Sequence, residues 1–170
     1  MMQENYPFDF CLEITYFLEG NSLKTSAAVS NRSTEQMPHY LGWHPWFITT
    51  DKTKLRLSHT MQKHYNYFDC CDEKNVPEID LSKSWDDVFY DPVQKEFSLY
   101  NEADGYWIRY LLDDAHSVLT VCTTSDHAIC LEPWCGLPDS INNGKLLQWI
   151  SPGKTECYHT ELQVGKMQLF

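Results

Sequence analysis

Phe8-Asp9-Phe10-Cys11-Leu12-Glu13-Ile14-Thr15-Tyr16-Phe17-Leu18-Glu19 sets an apolar side chain at every even position, with Asp9, Glu13, Thr15 and Glu19 between them. Strand side chains alternate between faces, so this period of two predicts a half-buried strand. Glu19-Gly20-Asn21 supplies turn chemistry, after which Leu23, Thr25, Ala27 and Val29 resume the alternation. The opening therefore predicts an antiparallel hairpin. Met37 to Phe47 predicts a strand running into a corner at His44, with Pro45 marking an edge, bend or bulge. Further strands are expected at Leu55 and Leu57, Val88 to Tyr90, Phe97 to Tyr100, Tyr106 to Leu112, Val118 to Thr123, Ala128 to Glu132 and Thr155 to Val164. Asp113-Asp114, Asn142-Asn143-Gly144 and Ser151-Pro152-Gly153 punctuate them as turns, and polar Asp69 to Ser84 reads as a long loop. No long window carries apolar residues at helical spacing. The expectation is an all-β chain folded as an antiparallel β-sandwich.

The 170 residues suffice for one domain with a real core, and no linker or repeat divides them. A net charge of -11 and only three arginines, Arg32, Arg56 and Arg109, argue against nucleic acid and anionic membranes as partners. No apolar run approaches a bilayer span, and Met1 to Asn5 lacks the basic-then-apolar pattern of a secretory signal, so a cytoplasmic location is expected. Seven cysteines, an odd number, fit a reducing compartment better than a disulfide framework. Cys70-Cys71 is a vicinal pair, but no Cys-x-x-Cys occurs, and the i, i+5 pairs His39/His44 and His59/His64 fall on opposite faces of a regular strand. Neither pattern predicts a metal clamp.

Two segments carry candidate chemistry: Trp43-His44-Pro45-Trp46-Phe47, with a candidate acid, and Leu131-Glu132-Pro133-Trp134-Cys135-Gly136-Leu137-Pro138-Asp139, with a candidate base. A histidine holds and releases a proton near neutrality, and an ionised glutamate can accept one. From residue type alone, a histidine beside Pro and Trp is more often a hydrogen-bonded core or rim residue, and a glutamate before proline is usually solvated.

The order of these segments resembles the aldose 1-epimerase (galactose mutarotase-like) family. The resemblance runs through Tyr6-Pro7-Phe8, Gly20-Asn21, Asn31, Met37-Pro38, Gly42-Trp43-His44-Pro45-Trp46-Phe47, Trp85-Asp86-Asp87-Val88-Phe89, Glu132-Pro133-Trp134 with Pro138-Asp139, and Ser151-Pro152-Gly153. Glu-Pro-Trp is most similar to the bacterial branch associated with sugar operons. The resemblance implies a galactose mutarotase-like supersandwich, His44 as acid, Glu132 as base and Asp86 binding a sugar hydroxyl. The substrate it implies is a free aldose such as galactose or glucose, with no metal, nucleotide or other cofactor required. Trp46 and Trp134, with Trp43, offer faces on which a pyranose could stack, although large aromatics mostly fill cores, and at most one of these rings is expected to touch ligand.

Family members usually carry an amino-terminal sheet region before the Tyr-Pro-Phe strand, including an arginine and a first histidine that hold the sugar. The chain is accordingly expected to represent the carboxyl-terminal part of that fold, with weakened turnover and with either a second copy or a separately encoded amino-terminal partner completing it. Lys154 stands where a glutamate often follows the Pro-Gly turn. The competing readings are a non-catalytic carbohydrate-binding or vestigial domain and a pure interaction sandwich.

Overall fold

The computed structural model describes residues 5–67, 69 and 71–167. Its strands are β1 (Phe10–Glu19), β2 (Ser22–Asn31), β3 (Met37–His39), β4 (Trp46–Ile48), β5 (Leu55–Ser58), β6 (Met61–Asn66), β7 (Cys71–Glu73), β8 (Asp86–Pro92), β9 (Glu96–Asn101), β10 (Tyr106–Leu112), β11 (Val118–Cys122), β12 (Ala128–Trp134), β13 (Gln148–Ile150) and β14 (Thr155–Lys166). A 3-10 turn covers Lys52–Lys54, and a four-residue helix, α1, covers Ser140–Asn143. The first sheet runs β1-β2-β14-β10-β9-β5 and the second β4-β12-β11-β8-β6-β7, while β3 and β13 form a small ribbon. The pairings are antiparallel.

The two large sheets face each other across one apolar core. Phe97, Leu99, Ile108 and Tyr110 of the first sheet meet Phe89, Leu119, Val121, Ile129 and Leu131 of the second, with Leu81 closing the stack. Alternation then fixes the other face of the second sheet. Because Leu119, Val121, Ile129 and Leu131 point inward, Thr120, Cys122, Cys130 and Glu132 point to the opposite face. A smaller cluster of Ala27, Val29, Met37, Cys135, Ile150 and Tyr158 ties the ribbon to β2 and β14.

The expected opening hairpin forms, with Glu19 opposite Ser22 and Gly20 at φ 60° in the turn. Its burial departs from expectation. Leu12, Ile14, Tyr16 and Leu18 are exposed, up to 74% for Leu18, because β1 is the edge strand of its sheet and reaches past the core. Met37 to Phe47 is not one strand either. It splits into β3, paired with β13, and β4, paired with β12, and the segment between crosses from one sheet to another past Gly42 and Pro45. The expected loop from Asp69 holds β7, which pairs with β6. The first member of the Cys70-Cys71 pair, Cys70, lies outside the described residues, and Cys71 is exposed on β7. Among the described residues no helix is long and apolar enough to cross a membrane.

Candidate active site

Glu132 reaches the site because β12 is sandwiched between β4 and β11, and its outward positions are Cys130, Glu132 and Trp134. Ladder register assembles two transverse rows on that face. Trp46, Cys130, Cys122 and Asp86 lie directly across successive strands, and Glu132, Thr120 and Val88 form the adjacent row. His44 is two residues before β4, in the segment that Gly42 anchors by a bridge to Trp134. An added Cβ on Gly42 would stand 2.2 Å from Trp134 Cδ1, so only glycine lets the indole lie against that backbone.

His44 and Glu132 are in contact, with Nε2 3.3 Å from Oε1. The other ring nitrogen, Nδ1, is 3.2 Å from Cys130 Sγ. The thiol donates to the Pro45 carbonyl at 2.9 Å, which leaves the sulfur to accept from the ring. Nδ1 and the sulfur are thus hydrogen-bonded, whereas Nε2 and the carboxylate stand at an ion-pair distance without hydrogen-bond alignment. The two side chains differ sharply in exposure, 62% for His44 and 3% for Glu132. Burial raises the Glu132 carboxyl above its ordinary value; the neighbouring Cys130 thiol, the charge of His44 and the Trp134 side chain pull against that rise, and Asp86 adds to it. Burial likewise pushes the Cys130 thiol up, with the Glu132 charge reinforcing it. The second carboxylate oxygen, Glu132 Oε2, and the neighbouring Thr120 hydroxyl are buried without a hydrogen-bond partner.

A cleft of about 340 Å³ opens here, lined by Tyr40, Gly42, His44, Glu132, Trp134 and Asp139 among others. That volume is within the range of small-molecule sites, and its walls mix aromatic surface with a few polar groups. Asp139 sits in the left-handed region at φ 61°, a conformation non-glycine residues adopt at a cost.

Asp86 shares the outward face and is close enough to influence Glu132, but it does not line the cleft wall. Asp87 points the other way, where its carboxylate lies 3.0 Å from His64 Nε2, so strand parity separates the two neighbours. That contact is an ion-pair distance without hydrogen-bond alignment, since the same nitrogen has no hydrogen-bond partner. Trp134 lines the cleft, Trp46 stands 5.9 Å from His44 between ring centroids, and Trp43 packs against the smaller core cluster. Of the remaining histidines, His39 is held by Tyr158 and His116 by Asp113. Cys130 and Thr120 belong to the site by strand position alone; the signal for Cys130 was its i, i+2 spacing from Glu132, which shares a face in any strand.

The aldose 1-epimerase family model matches residues 2–135. The plasmid-borne LacX protein of Lactococcus lactis subsp. lactis is 27% identical over 86% of this chain and 57% of its own length. Among solved structures, the Slr1438 protein of Synechocystis sp. PCC 6803 superposes with a TM-score of 0.87 at 24% identity, covering 96% of this chain and 57% of that one. A galactose mutarotase-like protein from Clostridium acetobutylicum gives 0.81 at 15% identity, covering 98% of this chain and 59% of that one. The fold is thus the galactose mutarotase-like β-sandwich. The chain belongs to the aldose 1-epimerase family, and it spans a little over half the length of these relatives.

Proposed function

We propose that this chain carries the acid–base pair of a mutarotase, interconverting the α and β anomers of a free aldose. The observation behind this reading is the contact between an exposed imidazole and a buried carboxylate at the wall of a polar and aromatic cleft. The ring oxygen and the anomeric hydroxyl of an aldopyranose are bonded to the same carbon. Acid and base must therefore meet one edge of the sugar side by side, as His44 and Glu132 are disposed.

In the forward direction Glu132 takes the proton of the anomeric hydroxyl while His44 gives one to the ring oxygen. The C1–O5 bond breaks, its electron pair goes to the ring oxygen, and the hydroxyl oxygen becomes the carbonyl oxygen of an open aldehyde. Rotation about C1–C2 presents the other carbonyl face, and reversal of both proton transfers closes the ring. Burial of Glu132 strengthens it as a base, and general acid–base catalysis is worth on the order of a hundred- to ten-thousandfold. Trp134 is the ring best placed to pack on the sugar, and Asp86 serves as a more distant hydroxyl contact. Scarce arginine favours a neutral sugar over a phosphorylated one.

Polarimetry on freshly dissolved α-glucose and α-galactose tests the proposal. Acceleration over the buffer rate is expected for the native chain and is expected to vanish in Glu132→Gln, which keeps shape and loses basicity. A folded native chain that leaves the buffer rate unchanged overturns it, and a sugar-dependent change in tryptophan fluorescence would then identify a carbohydrate binder without turnover.

A further inference from the structure

His44, Cys130 and Glu132 each offer a ligand atom, and these atoms lie within 4.8 Å of one another. We propose that the three side chains form an inhibitory site for a borderline-soft divalent cation, with Zn²⁺ the best match. Imidazole nitrogen, thiolate sulfur and carboxylate oxygen are the three donor types zinc uses, at about 2.0–2.3 Å each, which sets donors about 3.2–3.7 Å apart around a tetrahedral ion. The nitrogen–sulfur and nitrogen–oxygen contacts, 3.2 and 3.3 Å, are already at that spacing, although they involve opposite nitrogens of the ring. One ion can take only one of these nitrogens. The adjustment required is a rotation of the His44 ring, and its side chain is the exposed member of the set.

Two further observations point to a cation. Glu132 is buried, yet its Oε2 has no hydrogen-bond partner, so a carboxylate lone pair is left over. The outward face also carries Asp86, whose charge is felt by Glu132, in a chain of net charge -11. With His44 neutral, as a metal ligand must be, the site is anionic and attracts a cation. Three protein donors leave a fourth tetrahedral position for water on the open side of the cleft.

Binding is a proton exchange. The thiol S–H bond breaks, the thiolate donates its electron pair to the ion, and one proton leaves to solvent; an imidazolium at His44 releases a second. The ion then holds the lone pairs through which His44 carries its proton and Glu132 accepts one, so occupancy stops acid–base chemistry. This inhibitory consequence rests on the proposed mutarotase reading, whereas the site itself stands on the donor geometry.

The test uses the full chain, washed with chelator and titrated with Co²⁺ as a visible stand-in for Zn²⁺. One cobalt per chain is expected, with a thiolate-to-cobalt charge-transfer band in the near ultraviolet that Zn²⁺ abolishes by displacement. Cys130→Ser should remove the band, and Glu132→Gln should weaken cobalt binding at least tenfold, while Cys71→Ser and Cys122→Ser retain the band. In polarimetry, Zn²⁺ should suppress turnover and chelator should restore it. Absence of the band in the native chain, or its persistence in Cys130→Ser, overturns the proposal. A band in a chain without mutarotation retains the metal site and removes the mutarotase reading. Mutarotation without a band does the reverse.

Discussion

Gly42 and His39 show how single residues hold this site and this fold. Gly42→Ala drives a methyl into the Trp134 indole, a rigid ring that also lines the cleft, so neither partner can yield cheaply. The expected cost is about 1–3 kcal/mol in denaturant unfolding, the usual range for overpacking, together with loss of any sugar-dependent tryptophan signal. His39 is buried with Nε2 2.6 Å from the Tyr158 hydroxyl and Nδ1 unpaired, and burial lowers its pKa to about 4. The folded state therefore takes up this proton less readily than the unfolded chain does. The neutral ring's contribution is complete above about pH 6.5 and is lost as pH falls from there to about 4, an effect on the order of 3 kcal/mol. Urea midpoints across that interval should fall, and His39→Gln should flatten the dependence. Motif order made His44 and Glu132 readable as site candidates. Cys130 was not, because it belongs to no Cys-x-x-Cys spacing, and its neighbour His44 is brought in through a sheet register that no local spacing encodes.

At the level of elements, strands with clean alternation were legible. Tyr106–Leu112 falls at the expected bounds, and the hairpin of β1 and β2 differs at its ends alone. Strands without a readable period were not, although the short β5 at Leu55 and Leu57 was. Met61–Asn66 interleaves Gln62, Lys63 and His64 with one apolar residue at each side, and β13 has three residues, too few to show a period. Alternation also reports strand geometry without reporting what covers the strand, which is why β1 was expected half-buried and is exposed. The hairpin turn supplies a prediction. Gly20 holds φ 60°, so Gly20→Val should cost roughly 1–2 kcal/mol, the penalty of a left-handed backbone for a residue with Cβ, read as a lower thermal midpoint.

For the whole molecule, β1 is a ten-residue edge with exposed Leu12, Ile14, Tyr16 and Leu18 and with neither lysine nor proline to guard it. Natural sheets seldom leave such an edge bare. Antiparallel self-pairing about a two-fold axis at Ile14 sets Leu12 opposite Tyr16 and Phe10 opposite Leu18 on one face, with Glu13 opposite Thr15 on the other. Between Phe10 and Leu18 no like charges oppose. A dimer is expected by light scattering, and Ile14→Lys, which would place two ammonium groups at the axis, should return a monomer.

The three-residue β4 is the end strand of its sheet, paired with β12 through Trp46, Phe47 and Ile48 and flanked by the Trp43 N–H bond to the Pro133 carbonyl and the Thr49 N–H bond to the His127 carbonyl, and His44 lies just before it. Such a short terminal ladder opens at a fraction of the free energy needed to unfold the chain, since ends fray before interiors do. Each opening would carry the imidazole away from a carboxylate that stays fixed on an interior strand. The amides of β4 should then exchange with solvent deuterium well before those of β11, and mild warming should silence the site while the rest of the sandwich keeps its circular dichroism.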